Sequence, residues 1–197
     1  MYTPPFTITP KAVNLVAEIY SQTERYAIRL EQEDALRLRK INRMKTIHSS
    51  LAIEGNALSE SQVLEIMEGK TVAAPPREIQ EVKNAIRAYE LYGSLNPFSV
   101  KDLLRTHDVM MQSIIEDAGH FRSTGVGVFE STHCVHLAPP ADRVPALVQD
   151  LLEWVEKAED NLLIRSCVFH YEFEFIHPFT DGNGRMGRCG SRLYWAK

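Results

Sequence analysis

A twelve-residue stretch, His177 to Arg188, reads HPFTDGNGRMGR and concentrates groups that could act on a phosphate. Its centre, Asp181 to Gly184, cannot continue a helix, but it can curl so that successive N–H groups face one concavity. We expect helical structure to resume near Gly184. A glycine-rich turn at a helix N-terminus binds anions, because the N–H groups and the helix dipole both favour negative charge.

Charged side chains flank this turn. Arg185 and Arg188 are three residues apart, so they share a helix face beside the turn. Two guanidinium groups next to an anion-binding turn indicate several phosphates rather than one. Asp181 supplies a hard oxygen ligand, which suits a Mg²⁺ ion that keeps its waters and bridges phosphate oxygens. The pattern predicts a nucleotide polyphosphate site.

A histidine directly precedes the turn. An unperturbed imidazole has a pKa of about 6.5, so much of it is neutral at neutral pH and can accept a proton. Because Pro178 follows, we expect the backbone of His177 to be extended, which would help to aim the ring. A proton acceptor beside a phosphate site predicts attack by a hydroxyl group on a nucleotide phosphate.

Helices must position these groups. The pattern predicts one after Pro10, a long one over 23–50, and one that starts with a capping box at Ser59–Gln62 and ends at Gly69. TVAAPPRE is predicted as a loop. Further helices are predicted over 78–92, from a cap at Ser99 and Asp102 to about 117, over 143–157 and over 162–176. We expect a mostly helical protein with about eight helices.

One region has an extended pattern. Val126, Val128 and Phe129, followed by Val135 and Leu137, alternate with polar residues and predict a short β-hairpin. His133, Cys134 and His136 fall in the same region, but the sequence offers no second ligand pair at the spacing of a zinc site. We therefore interpret them as part of the hairpin.

Composition excludes several classes of protein. The chain of 197 residues has a formal net charge of −4, which gives no electrostatic indication of nucleic-acid binding. No apolar run is long enough to span a membrane, and the start, MYTPPFTITPK, is not typical of a signal peptide. Three cysteines without a CxxC motif favour free thiols in a reducing compartment. We expect a cytoplasmic protein.

HPFTDGNGRMGR resembles the signature of the Fic family, HPFx[DE]GNGRxxR, at every specified position. The resemblance implies an all-α, compact helical domain with a small β-hairpin flap over the active site. It also implies transfer of AMP from ATP to a hydroxyl side chain of a target protein, or of the enzyme itself, with release of pyrophosphate. We expect an N-terminal helical region over 1–95 and a Fic core over 96–197.

The same resemblance implies roles for the motif residues. His177 would be the base that deprotonates the target hydroxyl, and Asp181 would bind Mg²⁺. The flap would pair with extended backbone of the target. Its expected docking residues are Val126, Val128, Phe129, Val135 and His136.

Five residues are implied to hold the phosphates. Asn183, together with the backbone of Gly182 and Gly184, would contact the α- and β-phosphates. Arg185 would contact the β-phosphate, and Arg188 the γ-phosphate. Glycine at both 182 and 184 favours the AMP-transferring subgroup over the kinase-like Doc relatives.

A second motif lies upstream. Ser50 to Gly55 reads SLAIEG and is similar to the family's inhibitory pattern, [ST]xxxE[GN], in the N-terminal arrangement called class II. A carboxylate at Glu54 could form a bidentate pair with Arg188, which would then be unable to hold the γ-phosphate. We expect an autoinhibited adenylyltransferase, with Ser50 and Glu54 in the inhibitory motif.

Three alternatives remain open. The donor could be another nucleotide. The carboxylate of Glu54 could engage a water and support removal of AMP, as in some relatives. The chain could also be a nucleotide-binding module with little turnover. In the interpretation that we favour, the partners are ATP and a protein with a hydroxyl side chain, either a target or the chain itself.

The last nine residues depart from the family pattern. Family members continue past the motif with a further helix, whereas this tail reads CGSRLYWAK, and Gly190 lowers its helix propensity. A shift of one nucleotide after Arg188 could convert the tail to LWQSLVLGK, which is family-like. We therefore hypothesise a frameshift that truncates the core, and the nucleotide sequence would test it. Truncation would uncover apolar surface and favour a homo-oligomer.

Overall fold

The computed structural model describes residues 2–32, 35–130 and 133–195. Its helices are α1 (Pro10–Gln32), α2 (Ala35–Ile53), α3 (Glu60–Met67), α4 (Pro76–Glu90), α5 (Val100–Met111), α6 (Val144–Lys157), α7 (Leu162–Ile176) and α8 (Asn183–Trp195). Two short strands, β1 (Gly127–Glu130) and β2 (His133–Leu137), lie between α5 and α6. The predicted mostly helical architecture is confirmed. Among the described residues, no helix combines the length and apolar character needed to cross a membrane.

Several helices begin where local chemistry predicts. The Ser59 side chain accepts a hydrogen bond from the Gln62 N–H, and the Gln62 side chain accepts one from the Ser59 N–H, so the capping box of α3 is confirmed. Ser99 caps α5 in a similar way through the Asp102 N–H. Helix α4 begins at Pro76, two residues before the predicted start, because proline is well accommodated in the first helical turn.

Helix α5 is shorter than predicted. It ends at Met111 rather than near 117, and Ser113 has a left-handed φ of 61°. The chain then turns back, and the Gly119 N–H donates to Nδ1 of His107 at 2.9 Å. This tertiary hydrogen bond to an earlier turn of α5 takes the place of the predicted helical continuation.

The core is formed where α7 and α8 pack against each other and against α6, α5 and α2. Its largest fully buried side chains include three phenylalanines, Phe169, Phe173 and Phe179. Helix α2 contributes the buried side chains of Met44, Ile47 and Leu51 to this core.

Strands β1 and β2 form an antiparallel pair. Val128 pairs with His136 and Phe129 with Cys134, so Val135 is an extra residue in β2 and forms an irregularity in the register. The backbone of this hairpin is described except at 131–132. Of the five predicted docking residues, only Val126 has a described side chain, which is half-buried. The other four side chains lie outside the described ones.

Candidate active site

His177 ends α7 in an unusual backbone conformation. It has φ 50° and ψ 62°, the left-handed region, and its N–H still donates to the Phe173 carbonyl at 3.0 Å. The extended backbone predicted from Pro178 is therefore wrong. A following proline disfavours the right-handed helical region, and the left-handed C-cap turns the chain out of the helix without entering that region. A left-handed histidine is strained, and such strain is concentrated at functional sites.

The turn after His177 is held by Asn183. Its side-chain Oδ1 accepts from the Phe179 N–H at 2.9 Å, and its Nδ2 donates to the Phe179 carbonyl at 2.8 Å. Asn183 is 3% exposed. Its amide oxygen and one amide hydrogen therefore close the Phe179–Asn183 loop. The loop uses neither the second amide hydrogen nor the backbone N–H of Asn183, and the phosphate contact of this residue stays a prediction.

Helix α8 begins at Asn183. The N–H groups of Asn183, Gly184 and Arg185 therefore have no carbonyl acceptor within the helix. The first turn is closed by the Met186 N–H, which donates to the Gly182 carbonyl at 2.9 Å. The three leading N–H groups and the positive end of the helix dipole favour negative charge at this point, so the predicted anion site stays a prediction that this geometry can accommodate. We call these three residues the cradle.

A carboxylate of the chain itself lies beside the cradle. A Cβ atom added to Gly184 would lie 2.5 Å from Oε1 of Glu54 and 3.0 Å from Nη1 of Arg188. Any side chain at 184 would therefore collide with the Glu54 carboxylate. The glycine provides the space that a negatively charged group occupies over the start of α8.

Glu54 and Arg188 form an ion pair. Nη2 of Arg188 donates to Oε1 of Glu54 at 2.6 Å, and the side chains of Arg188 and Glu54 are 25% and 29% exposed, respectively. Arg188 also donates from Nε to the Ser50 hydroxyl at 3.0 Å and from Nη2 to the Ser50 carbonyl at 3.1 Å. The predicted bidentate pair is therefore wrong in detail: Arg188 makes one hydrogen bond to the Glu54 carboxylate and two to Ser50.

The end of α2 aims Glu54 at this arginine. The Gly55 N–H donates to the Ala52 carbonyl and the Asn56 N–H to the Leu51 carbonyl, and Gly55 has φ 91°. This is the Schellman termination of a helix, which favours glycine at the left-handed position. The glycine of the SLAIEG motif therefore ends α2 immediately after Glu54.

Arg185 faces a different set of acids. Its Nη2 lies 2.9 Å from Oδ1 of Asp181, its Nη1 lies 3.6 Å from Oε1 of Glu81, and its side chain is only 5% exposed. Glu81 also accepts a hydrogen bond from Nδ2 of Asn56 at 2.9 Å. The two arginines of the motif are thus both paired with carboxylates, Arg188 with the end of α2 and Arg185 with Asp181 and α4.

A buried histidine supports the turn from below. His107 is fully buried and stacks on Phe179 with ring centroids 3.6 Å apart. Its Nδ1 accepts from the Gly119 N–H, which leaves Nε2 to donate to the Asp181 carbonyl at 3.0 Å. Burial lowers the pKa of His107, so the neutral ring is favoured and its tautomer is fixed by these two contacts.

Sequence reasoning missed three residues around the site, His107, Glu81 and Arg122. The signal for His107 was present, because it is a polar residue on the buried face of α5. No local signal marks Glu81 or Arg122. The predicted residues Glu54, Ser50, Asp181, Arg185 and Arg188 are brought together with the cradle, and His177 lies at the start of the same turn.

The turn also makes a prediction for stability. Gly182 has φ 85°, and a Cβ there would lie 2.7 Å from Sδ of Met111. We expect Gly182→Ala to lower the free energy of unfolding by about 2–4 kcal/mol, from the left-handed conformation and the collision together. Urea denaturation would measure it.

Two other glycines serve as controls for Gly182→Ala. Gly55 has φ 91° but open space around an added Cβ, so Gly55→Ala should lose only the conformational part, about 1 kcal/mol. Gly93 has neither a positive φ nor a neighbour within 4 Å, so Gly93→Ala should be nearly neutral. Equal losses at 182 and 93 would contradict the account of the turn.

Comparison with known proteins gives one family. The chain matches the Fic/DOC family over residues 97–194. It is 31% identical over 156 residues to "Protein adenylyltransferase fic-1" of Caenorhabditis elegans, a match that covers 72% of this chain and 29% of the relative. It is 28% identical over 157 residues to "Protein adenylyltransferase Fic" of Nematostella vectensis, covering 72% of this chain and 35% of the relative.

Solved structures agree. A Fic family protein from Desulfovibrio desulfuricans G20 superposes with a TM-score of 0.92 at 51% identity, covering 98% of this chain and 60% of that chain. Residues 134–508 of Fic-1 from C. elegans superpose with a TM-score of 0.70 at 23% identity, which supports the fold alone. The chain therefore spans about a third of the curated relatives and 60% of the first of these structures.

Proposed function

The chain belongs to the Fic family, and on that premise we propose that it transfers AMP from ATP to a hydroxyl side chain of a protein, either another protein or itself. The hydroxyl oxygen would attack the α-phosphorus, and the bond from this phosphorus to the oxygen that bridges to the β-phosphate would break. Pyrophosphate would leave, and His177 would take the hydroxyl proton. The names of the relatives support this activity.

The observation that carries the proposal is the Glu54 carboxylate over the start of α8. Oε1 of Glu54 lies 2.6 Å from Nη2 of Arg188 and beside Gly184 in the cradle. A carboxylate and a phosphate both offer oxygens to N–H donors, so the position of Glu54 indicates where an anionic group fits. Only the turn over 177–182 separates His177 from the cradle, so a polyphosphate bound there would lie at the other end of that turn.

The same contact supports the proposal that the enzyme is autoinhibited. A γ-phosphate that used Arg188 would need the guanidinium donors now given to Glu54 and Ser50. Two anions next to Gly184 would also repel each other at short range. We propose that residues 1–95 act on a core over 96–197 through this pair. The family match over 97–194 supports the division.

Asp181 is suited to Mg²⁺. Its side chain is 39% exposed, and its Oδ1 accepts from Arg185 and from the Gly182 N–H. The described residues contain no cluster of three acidic, histidine or cysteine ligands. That fits an ion held by one carboxylate, waters and phosphate oxygens. Asp181 would hold the ion, and the ion would neutralise phosphate charge.

The hairpin is proposed as the docking flap. Within the described backbone, β1 and β2 form a sheet of two strands, so the outer edge of each is available to an added strand. Extended backbone of a target protein could pair there, which would bring its hydroxyl side chain to His177. Val126, Val128, Phe129, Val135 and His136 remain the proposed docking residues.

The reaction type is tested with two labels. Incubation of the Glu54→Gly form with Mg²⁺ and ATP labelled at the α-phosphate should label protein, and ATP labelled at the γ-phosphate should not. The reason is that AMP stays on the acceptor while both outer phosphates leave. Autoradiography of the chain alone, and of the chain with a cell lysate, measures both. Transfer of the γ-label would overturn the proposal in favour of a kinase.

The rival functions predict other outcomes of that experiment. Stronger labelling from α-labelled UTP, CTP or GTP than from ATP would show that this other nucleotide is the preferred donor. Calorimetric binding of ATP without transfer, even by Glu54→Gly, would favour a nucleotide-binding module. Release of AMP from a previously labelled protein by the wild-type chain would favour the reverse reaction.

A further inference from the structure

Arg122 is a buried cation bonded to four backbone carbonyls. It is 2% exposed. Its Nε donates to the His177 carbonyl at 2.7 Å and its Nη1 to the Thr124 carbonyl at 2.8 Å. Its Nη2 donates to the Pro139 carbonyl at 2.6 Å and to the Ile176 carbonyl at 3.3 Å. All three guanidinium nitrogens are therefore used.

One side of this fork holds the turn of the proposed base. The Arg122 N–H donates to the Pro178 carbonyl at 3.0 Å, so Arg122 contacts the carbonyls of 176, 177 and 178 in succession. His177 between them has the left-handed conformation, which persists only where the surroundings determine it. These contacts fix the backbone from which the imidazole projects.

The other side holds the hairpin. Thr124 lies three residues before β1, and Pro139 lies two residues after β2. The Ala138 N–H donates to the Val126 carbonyl at 3.1 Å and closes the base of the hairpin between them. Arg122 therefore contacts both chain ends that enter and leave the hairpin.

The chemistry of arginine matters here. Burial lowers the pKa of Arg122, yet a guanidinium keeps its charge in proteins. A planar fork with fixed donor directions can serve several carbonyls at once, whereas a lysine ammonium at the end of a flexible stem cannot reproduce that geometry. Replacement of Arg122 by lysine should therefore disturb these hydrogen bonds although it keeps the positive charge.

We propose that Arg122 is a positioning residue that joins the backbone of His177 to both ends of the hairpin. The base and the docking edge are then held in one fixed relation, so the hydroxyl group of a docked chain meets the imidazole. This inference rests on the proposed AMP transfer for its kinetic consequence and on the contacts alone for its structural one.

The kinetic test uses Arg122→Lys in the Glu54→Gly background, with α-labelled ATP and the chain itself as acceptor. We expect the rate at saturating ATP to fall about 10- to 100-fold, because a small misplacement of a reacting group has that effect. The ATP concentration for half-maximal rate should change less than about twofold, since the hydrogen bonds described for Arg122 go to the carbonyls of 124, 139 and 176–178 and not to the cradle. Arg165→Lys is the matched control.

Arg165 is a fair control because it is a half-buried arginine whose Nη1 donates to the Val155 carbonyl at 2.7 Å, away from the site. Equal rates for the two lysine variants would overturn the proposal. A parallel loss of rate and of ATP affinity would overturn it too, because that pattern belongs to the cradle.

A second measurement needs neither activity nor a folded variant. Native-state hydrogen exchange on the unsubstituted chain should give the same opening free energy for the N–H groups of Ala138, Arg122 and His177, since one residue joins their backbones. Opening of the hairpin at a lower free energy, with the other two still protected, would overturn the inference. If Glu54→Gly transfers no AMP, the proposed function fails while this exchange result still decides the role of Arg122.

Discussion

Glu54→Gly should transfer AMP faster than the unsubstituted chain by about 10- to 150-fold, the factor that corresponds to a charged hydrogen bond of about 1.5–3 kcal/mol. The substitution removes the oxygen that lies 2.6 Å from Nη2 of Arg188 and frees the space over Gly184. ATP could then use Arg188 without displacing a carboxylate. Initial rates of α-label incorporation at fixed ATP measure the change.

The substitution is well suited to the test because Glu54 follows the last residue of α2. Glycine there interrupts no helical interior, and Gly55 still supplies the left-handed termination. Glu159→Gly, at an acid in the loop between α6 and α7, is the matched control and should leave the rate unchanged. A rate for Glu54→Gly equal to that of this control would refute the inhibitory role.

The parts of the site that depend on neighbours in sequence could be predicted. The capping box at Ser59 and Gln62 joins residues three apart, so turn chemistry alone predicts it. The pairing of Glu54 with Arg188 was implied by the resemblance of SLAIEG to the family's inhibitory pattern, and the two side chains do form an ion pair.

Other contacts depend on how distant helices pack, and local pattern carries no information about them. Glu81 reaches Arg185 across α4 and α8, and His107 reaches the Asp181 carbonyl across α5 and the turn. Glu81 looks ordinary in its own helix, and the polar His107 on the buried face of α5 signals a buried contact without naming its partner. Every residue has a backbone carbonyl, so the sequence does not reveal which carbonyls accept hydrogen bonds from a side chain. For this reason the sequence predicts no role for Arg122, whose side chain donates to carbonyls.

One local prediction was wrong because of the path of the chain. Pro178 was expected to make His177 extended, but the chain must reverse between α7 and α8 within the six residues 177–182. A left-handed His177 starts that reversal, and the Asn183 amide closes it on Phe179.

Gly190 illustrates how packing can override propensity. A glycine in the last helix predicts a weak helix, yet α8 continues through it to Trp195. A Cβ at 190 would lie 2.8 Å from Cε1 of Phe169 on α7. The glycine allows α8 to approach α7 closely, and the buried Phe169 ring fills the space that a side chain would need.

Replacement of His177 should have the largest effect on the proposed reaction. We expect His177→Ala, in the Glu54→Gly background, to lose about 10²- to 10⁴-fold in transfer rate, the usual contribution of a general base. ATP affinity should be retained, since the cradle and Arg188 belong to α8. Single-turnover labelling together with calorimetry separates the two quantities.

Alanine at 177 could also destabilise the turn, and a second variant separates that effect from the loss of the base. His177 has φ 50°, and alanine adopts that left-handed conformation at a cost of about 1–2 kcal/mol. Asparagine visits it more readily and cannot act as a base, so His177→Asn should keep the turn and still lose the transfer. His120→Asn, at an exposed histidine in the loop after α5, is the control that should keep full activity. Transfer by His177→Asn at the rate of that control would mean that another group accepts the proton, and the role of His177 would then reduce to ending α7.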